Sequence, residues 1–98
     1  MYEGRPYGHR RVQDDKVAQI RGSVYHGGLL LATDGGAATV AVYDGLGTDG
    51  ELIDYFSCDI SSYDRHSIGK GIAIREGIYV DVGSNVDSFV LFYDPSLE

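Results

Sequence analysis

The chain has no tryptophan, one cysteine, one methionine and two prolines in 98 residues. Each scarcity excludes something. Cys58 has no partner for an internal disulfide, so the small secreted scaffold stapled by paired cysteines is ruled out, and a reducing or cysteine-indifferent setting is favoured. A structural zinc site needs about four well-placed ligands. Here His9, His26 and His66 are scattered without ligand spacing and cysteine is nearly absent. No apolar run approaches the ~20 residues that span a bilayer as a helix, and MYEGRPYGHRR has no apolar signal-peptide core. Basic residues are few, 8 against 15 acidic, for a net charge of −7. Residues 1–16 carry four basic and three acidic residues, and 17–98 carry four and twelve. An acidic body argues against a nucleic-acid partner, because phosphate attraction dominates such affinity. It suits a protein that docks on a basic surface. Also missing is helical i, i+3, i+4 periodicity over three turns.

What the chain has is glycine, 14 residues, and tyrosine, 8 residues. Together they give a turn-rich β composition for a single domain. The densest block of strand formers is Gly71–Pro95, GIAIREGIYVDVGSNVDSFVLFYDP. Ile78, Val80 and Val82 alternate with Tyr79 and Asp81, a period of two with one buried and one wet face. Gly83-Ser84-Asn85 is turn chemistry, and Asp94-Pro95 stops the run from Val86 to Tyr93. The pattern predicts a core hairpin of two strands. The last strand is apolar on both faces, with Val90 and Phe92 on one and Phe89, Leu91 and Tyr93 on the other. A neighbouring subunit finishing the Phe89, Leu91 and Tyr93 face is the expectation.

The remaining strands follow in order. Residues 1–16 read as an extended arm with Gly4, Pro6 and Gly8 and few apolar residues, unable to order alone. It is either a frayed terminus or an arm anchored on a partner through Tyr2, Arg5, Tyr7, Arg10 and Arg11, since Tyr and Arg are enriched at interface hot spots. Residues 17–98 form the domain. Val17–Tyr25 reads as a first strand broken at Gly22, His26-Gly27-Gly28 as a loop or bulge, and Gly28–Thr33 as a short buried strand. Asp34-Gly35-Gly36 is a tight turn. Ala37–Tyr43 and Glu51–Cys58 are strands around the DGLGTDG loop, the second with Leu52 and Phe56 on one side and Ile53 and Tyr55 on the other. Asp59–Lys70 is the longest polar connection, able to cross between sheets. Six to eight short strands with turn signals every 8–12 residues predict an all-β fold, a small antiparallel β-sandwich or jelly roll.

No catalytic constellation stands out. With Asp44 as first ligand, a calcium loop of the EF-hand type puts Leu46 at the third position, Thr48 at the fifth and Gly50 at the seventh, and the glutamate expected at twelve falls on Tyr55. The loop has no GK[ST] ending and is not a phosphate cradle. Cys58 and His66 could pair as nucleophile and base, but nothing in the sequence brings them together, and a lone strand cysteine is most often a small buried hydrophobe. Tyr43, Tyr55, Tyr79 and Tyr93 stand at intervals that fit sheet packing or subunit contact. Beside aspartates they also fit a sugar-binding surface. No enzyme activity, metal or cofactor is expected.

The stretch LLLATDGGAATVAVYDGLGTDGELID, a polar crossover, and GIAIREGIYVDVGSNVDSFVLFYDP together resemble small virion proteins of tailed bacteriophages. The resemblance covers about residues 28–95. It rests on the aromatic-Asp pair Tyr43-Asp44, the small-residue loop after it, a G-[IL]-Y-V-x-[VI]-G strand at Gly77–Gly83, and the closing Val/Phe/Tyr strand. It implies a β-sandwich or jelly-roll virion protein without a catalytic site. The expected role is a capsid cement (decoration) protein, a homotrimer bound to the major capsid protein or other virion subunits, with no nucleic acid or membrane partner. The alternatives are a tail, neck or fibre-associated host-attachment subunit and a carbohydrate-binding module.

Overall fold

The structure is a computed structural model. It describes residues 8–12 and 16–17 as backbone and residues 23–94 with side chains. Tyr2, Arg5 and Tyr7 lie outside the described residues, and Arg10 and Arg11 are placed by their backbone alone. The described strands are β1 (Gly8–Val12), β2 (Lys16–Val17), β3 (Val24–Ala32), β4 (Ala38–Asp44), β5 (Glu51–Cys58), β6 (Tyr63–Ala73), β7 (Ile78–Val82) and β8 (Val86–Asp94). They form two antiparallel sheets, β1-β8-β3-β6 and β2-β7-β4-β5, packed as a sandwich. The all-β expectation therefore holds. β1 pairs with β8, β2 with β7, β3 with β6 and β4 with β5. These four nested pairs, rolled so that β8 also meets β3 and β7 meets β4, are the wiring of a jelly roll. Among the described strands, only β4 and β5 are consecutive in one sheet; every other step from one described strand to the next changes sheet. The N-terminal segment supplies an edge strand to each sheet, Gly8–Val12 opposite β8 and Lys16–Val17 opposite β7.

The core lies between the sheets. Val40, Val42, Phe56, Ile78 and Val80 come from one side, and Tyr25, Leu30, Phe89 and Leu91 from the other. Phe56 and Phe89 meet edge to face across the interior, ring centroids 4.9 Å apart. The alternation of Ile78, Val80 and Val82 against Tyr79 and Asp81 holds, with Ile78 and Val80 fully buried.

Four expectations need correction. β7 and β8 are strands, but not a hairpin: the Gly83–Asn85 turn carries the chain from one sheet to the other. Asn85 takes a positive φ of 62° there, its Nδ2 donates to Ala37 O (3.1 Å), and its carbonyl accepts from Thr33 N (2.9 Å). The Asp34–Gly36 turn also crosses between sheets, so the two crossing turns are tied together. Second, Asp59–Lys70 is largely strand. The crossing takes only Asp59–Ser62, and β6 is, at 11 residues, the longest described strand. Third, β3 runs unbroken through His26-Gly27-Gly28, so of the two readings, loop or bulge, the bulge holds, between Tyr25 and Gly27. Gly27 has φ 109°, and a Cβ there would run into the His66 carbonyl. Fourth, a bulge in β5, where Val42 opposes Asp54 but Tyr43 opposes Leu52, turns Leu52 outward (54% exposed) and leaves Ile53 against the core beside Phe56.

The faces of β8 are also assigned. Phe89 and Leu91 have no exposed surface and belong to the core, and Tyr93 packs partly buried against it. A subunit cannot dock on the first two. The outer face is Val90 and Phe92. Val90 lies opposite Leu29, and the Arg65 guanidinium sits 5.7 Å from the centre of the Phe92 ring.

Candidate functional site

The densest polar cluster stands where the outer strands β5 and β6 of the two sheets come together. β5 turns Asp54 and Phe56 inward, and β6 turns Asp64, His66 and Ile68 inward. His66 Nδ1 lies 2.7 Å from Asp54 Oδ1, and its Nε2 lies 3.3 Å from Asp64 Oδ2. The ring stacks on Phe56 at 4.0 Å between centroids. The Tyr25 hydroxyl, on a fully buried side chain of β3, donates to Asp54 Oδ2 at 2.7 Å. Tyr55 N–H donates to Asp54 Oδ1 (2.9 Å) and Ser57 N–H to Asp64 Oδ2 (3.1 Å).

These contacts determine what the cluster can do. A neutral imidazole donates from one nitrogen and an imidazolium from both. Here both nitrogens face carboxylates, so the ring is committed at both ends. Burial, then the hydrogen bond to Asp54 and its negative charge, push the Tyr25 hydroxyl pKa far above its ordinary value, so it stays a donor. Cys58 lies further along β5. Burial and the charges of Asp64 and Asp59 raise its pKa, which disfavours the thiolate a nucleophile requires. The partners of His66 are Asp54 and Asp64. The cluster holds strands; its polar atoms satisfy one another.

A second carboxylate faces inward at the end of β4. Asp44 accepts from Arg75 N–H (3.1 Å) and Glu76 N–H (3.0 Å) in the connection from β6 to β7. The Arg75 guanidinium approaches at 3.9 Å and also reaches Glu51 (3.3 Å). Burial alone would raise the Asp44 pKa. The Glu76, Arg75 and Gly77 amides and the Arg75 charge outweigh it and hold the carboxyl below its ordinary value. The first aspartate of DGLGTDG is therefore a backbone clasp, turned away from the loop it opens. At the β8 end, His26 Nε2 lies 3.0 Å from Asp94 Oδ2 and Nδ1 3.0 Å from Ile68 O, tying β3, β8 and β6. Among the described residues, no group of three or more His, Cys, Asp or Glu side chains has metal-binding geometry.

The outer faces differ in chemistry. On β1-β8-β3-β6 the outward residues are Leu29, Leu31, Val90 and Phe92, with Tyr63 and Arg65 on β6. On β2-β7-β4-β5 they are Tyr43, Tyr79, Leu52, Tyr55 and Asp81, with Tyr43 opposite both Leu52 and Tyr79. Tyr25, Asp54 and Asp64 escaped the sequence reading, and Asp44 was weighed there in other roles than the backbone clasp it forms. The available signal was Asp64, His66 and Ile68 alternating with Tyr63, Arg65 and Ser67, a period of two inside a polar run. No family model, curated protein or solved structure matches this chain.

Proposed function

We propose that this chain is a structural protein of the tailed-bacteriophage virion. In this reading it is a capsid cement protein that binds the outside of the shell, as a homotrimer, and stabilises contacts between capsid subunits. The observation that carries the reading is the outer face of the β1-β8-β3-β6 sheet. Leu29 and Val90 stand opposite each other there, half-buried and turned away from the core, with Leu31 beside them. An apolar patch on the outer side of a small sandwich is a surface for a protein partner. Jelly-roll wiring supports the same reading, since capsid domains use it, although lectins and cupins do too. Binding at this face moves the assembly surface from Phe89 and Leu91 to the opposite side of the same strand.

The test is add-back to particles stripped of this protein. Wild-type protein should saturate the shell at hundreds of copies, and Leu31→Arg should lower binding about tenfold or more while its circular dichroism stays native. Removal of residues 1–16 tests the arm separately. Undiminished binding by both variants sinks the cement role. A saturating count of a few to dozens of copies per particle supports the tail, neck or fibre-associated alternative.

A second reading, carbohydrate binding, has its own observation: Tyr43, Tyr55 and Tyr79 share the outer face of the other sheet with Asp81. Aromatic faces stack on sugar rings while a carboxylate accepts from hydroxyls. A glycan array without signal removes it.

A further inference from the structure

We propose that the Asp54–His66–Asp64 cluster guards the open edge of β5, and that the strand it excludes is β5 of a second copy. Among the described strands, β5 is the last of its sheet and has a ladder partner, β4, on one side only. In an antiparallel pair every second N–H points away from the partner strand. Tyr55 and Ser57 are two residues apart, so their N–H groups face the same edge. Both are occupied, Tyr55 by Asp54 Oδ1 at 2.9 Å and Ser57 by Asp64 Oδ2 at 3.1 Å. Asp64 belongs to the opposite sheet, so the edge is capped from across the sandwich. His66, stacked on Phe56, fixes both carboxylates from between them. It is a positioning residue: it touches neither N–H and holds the two groups that do.

Without that cap, β5 has what strand addition needs. Its eight residues ELIDYFSC contain no proline, and Leu52 and Tyr55 are each 54% exposed. The excluded partner is β5 itself because this edge is present at the protein's own concentration and can pair with itself about a two-fold axis. That pairing is antiparallel. Parallel in-register pairing would set Glu51 against Glu51 and Asp54 against Asp54, whereas antiparallel pairing sends Glu51 toward the Cys58 end of its partner. The inference holds whichever virion surface the protein binds, and it directs assembly away from β5.

The test measures mass by sedimentation velocity over a range of concentrations, with circular dichroism to check folding. Asp64→Ala frees the Ser57 N–H. His66→Phe keeps a ring on Phe56 but removes the imidazole contacts to both carboxylates. Each should double the mass of the wild-type species, strengthening edge pairing by about tenfold or more. Adding Ser57→Pro, which deletes the outward N–H, should return both variants to the wild-type mass. Folded single variants with wild-type mass overturn the proposal. So does a doubled mass that survives Ser57→Pro, because the contact then lies elsewhere. Amide exchange of the wild-type protein gives a readout independent of the variants. Tyr55 and Ser57 should exchange about tenfold or more slowly than an open chain, and exchange at open-chain rates also overturns the guard.

Discussion

Asp44 and Asp54 stand on neighbouring strands of the same sheet, both turned inward, yet they hold different things. Asp44 accepts from the backbone N–H groups of Arg75 and Glu76, while Asp54 accepts from the side chains of Tyr25 and His66 and from one amide. Asp44 shapes a connection through main-chain amides, which side-chain substitutions other than proline leave in place. Asp54 belongs to a network whose other members are mostly side chains, Tyr25 and His66, and can be exchanged. The polar group most difficult to replace is therefore the one that serves main chain.

Three measurements break or sharpen that contrast. Asp44→Ala should have the largest effect. It strips acceptors from two amides in the connection from β6 to β7, at a cost of about 3 kcal/mol in chemical denaturation, given ~1–3 kcal/mol for each donor left unmet. Asp44→Asn keeps one acceptor oxygen and should cost less. Acid provides the matching readout. The folded pKa of Asp44 lies below the 3.8 of an unperturbed aspartate. Its contribution is therefore complete above that value and disappears as pH falls through the lower folded pKa. This loss should be absent from Asp44→Asn, and an identical acid profile in the two proteins would show that the clasp is not charge-dependent.

Tyr25→Phe should come next, costing about 1–2 kcal/mol, since Asp54 keeps His66 and the Tyr55 amide when one donor goes. A loss as large as that of Asp44→Ala would erase the distinction between the two carboxylates. Arg75→Ala should be smallest. The Arg75 side chain is 77% exposed, and such pairs contribute under about 1 kcal/mol. The effect should shrink further in high salt. A larger, salt-insensitive loss would mean that the guanidinium, rather than the two amides, anchors Asp44.

Much of the fold was readable before any coordinates. Ile78, Val80 and Val82, the stop at Asp94-Pro95 and the glycine turns locate strands because period and turn chemistry are local properties. β6 was missed for a physical reason. Its inward residues Asp64 and His66 are polar, so the run reads as solvated. Their burial becomes affordable only when Asp54, Ser57 and Phe56 arrive from the other sheet. Leu52 and Phe56 seemed to share a face until a bulge changed the register. The interface assigned to Phe89 and Leu91 failed because a strand apolar on both sides does not say which side is inside.

The sequence by itself determined that this is an all-β domain, where most strands lie, and which residues alternate along them. Local steric preference and the two-residue period suffice for that. Only the tertiary structure decided which sheet each strand joins, since Gly83-Ser84-Asn85 serves a hairpin or a crossing equally well. It also decided that Phe89 and Leu91 fill the core while Val90 and Leu29 face outward, and that Asp54, Asp64 and His66 meet at one edge. Those outcomes depend on contacts between residues far apart in the chain, whose partners exist only once the two sheets have closed on each other.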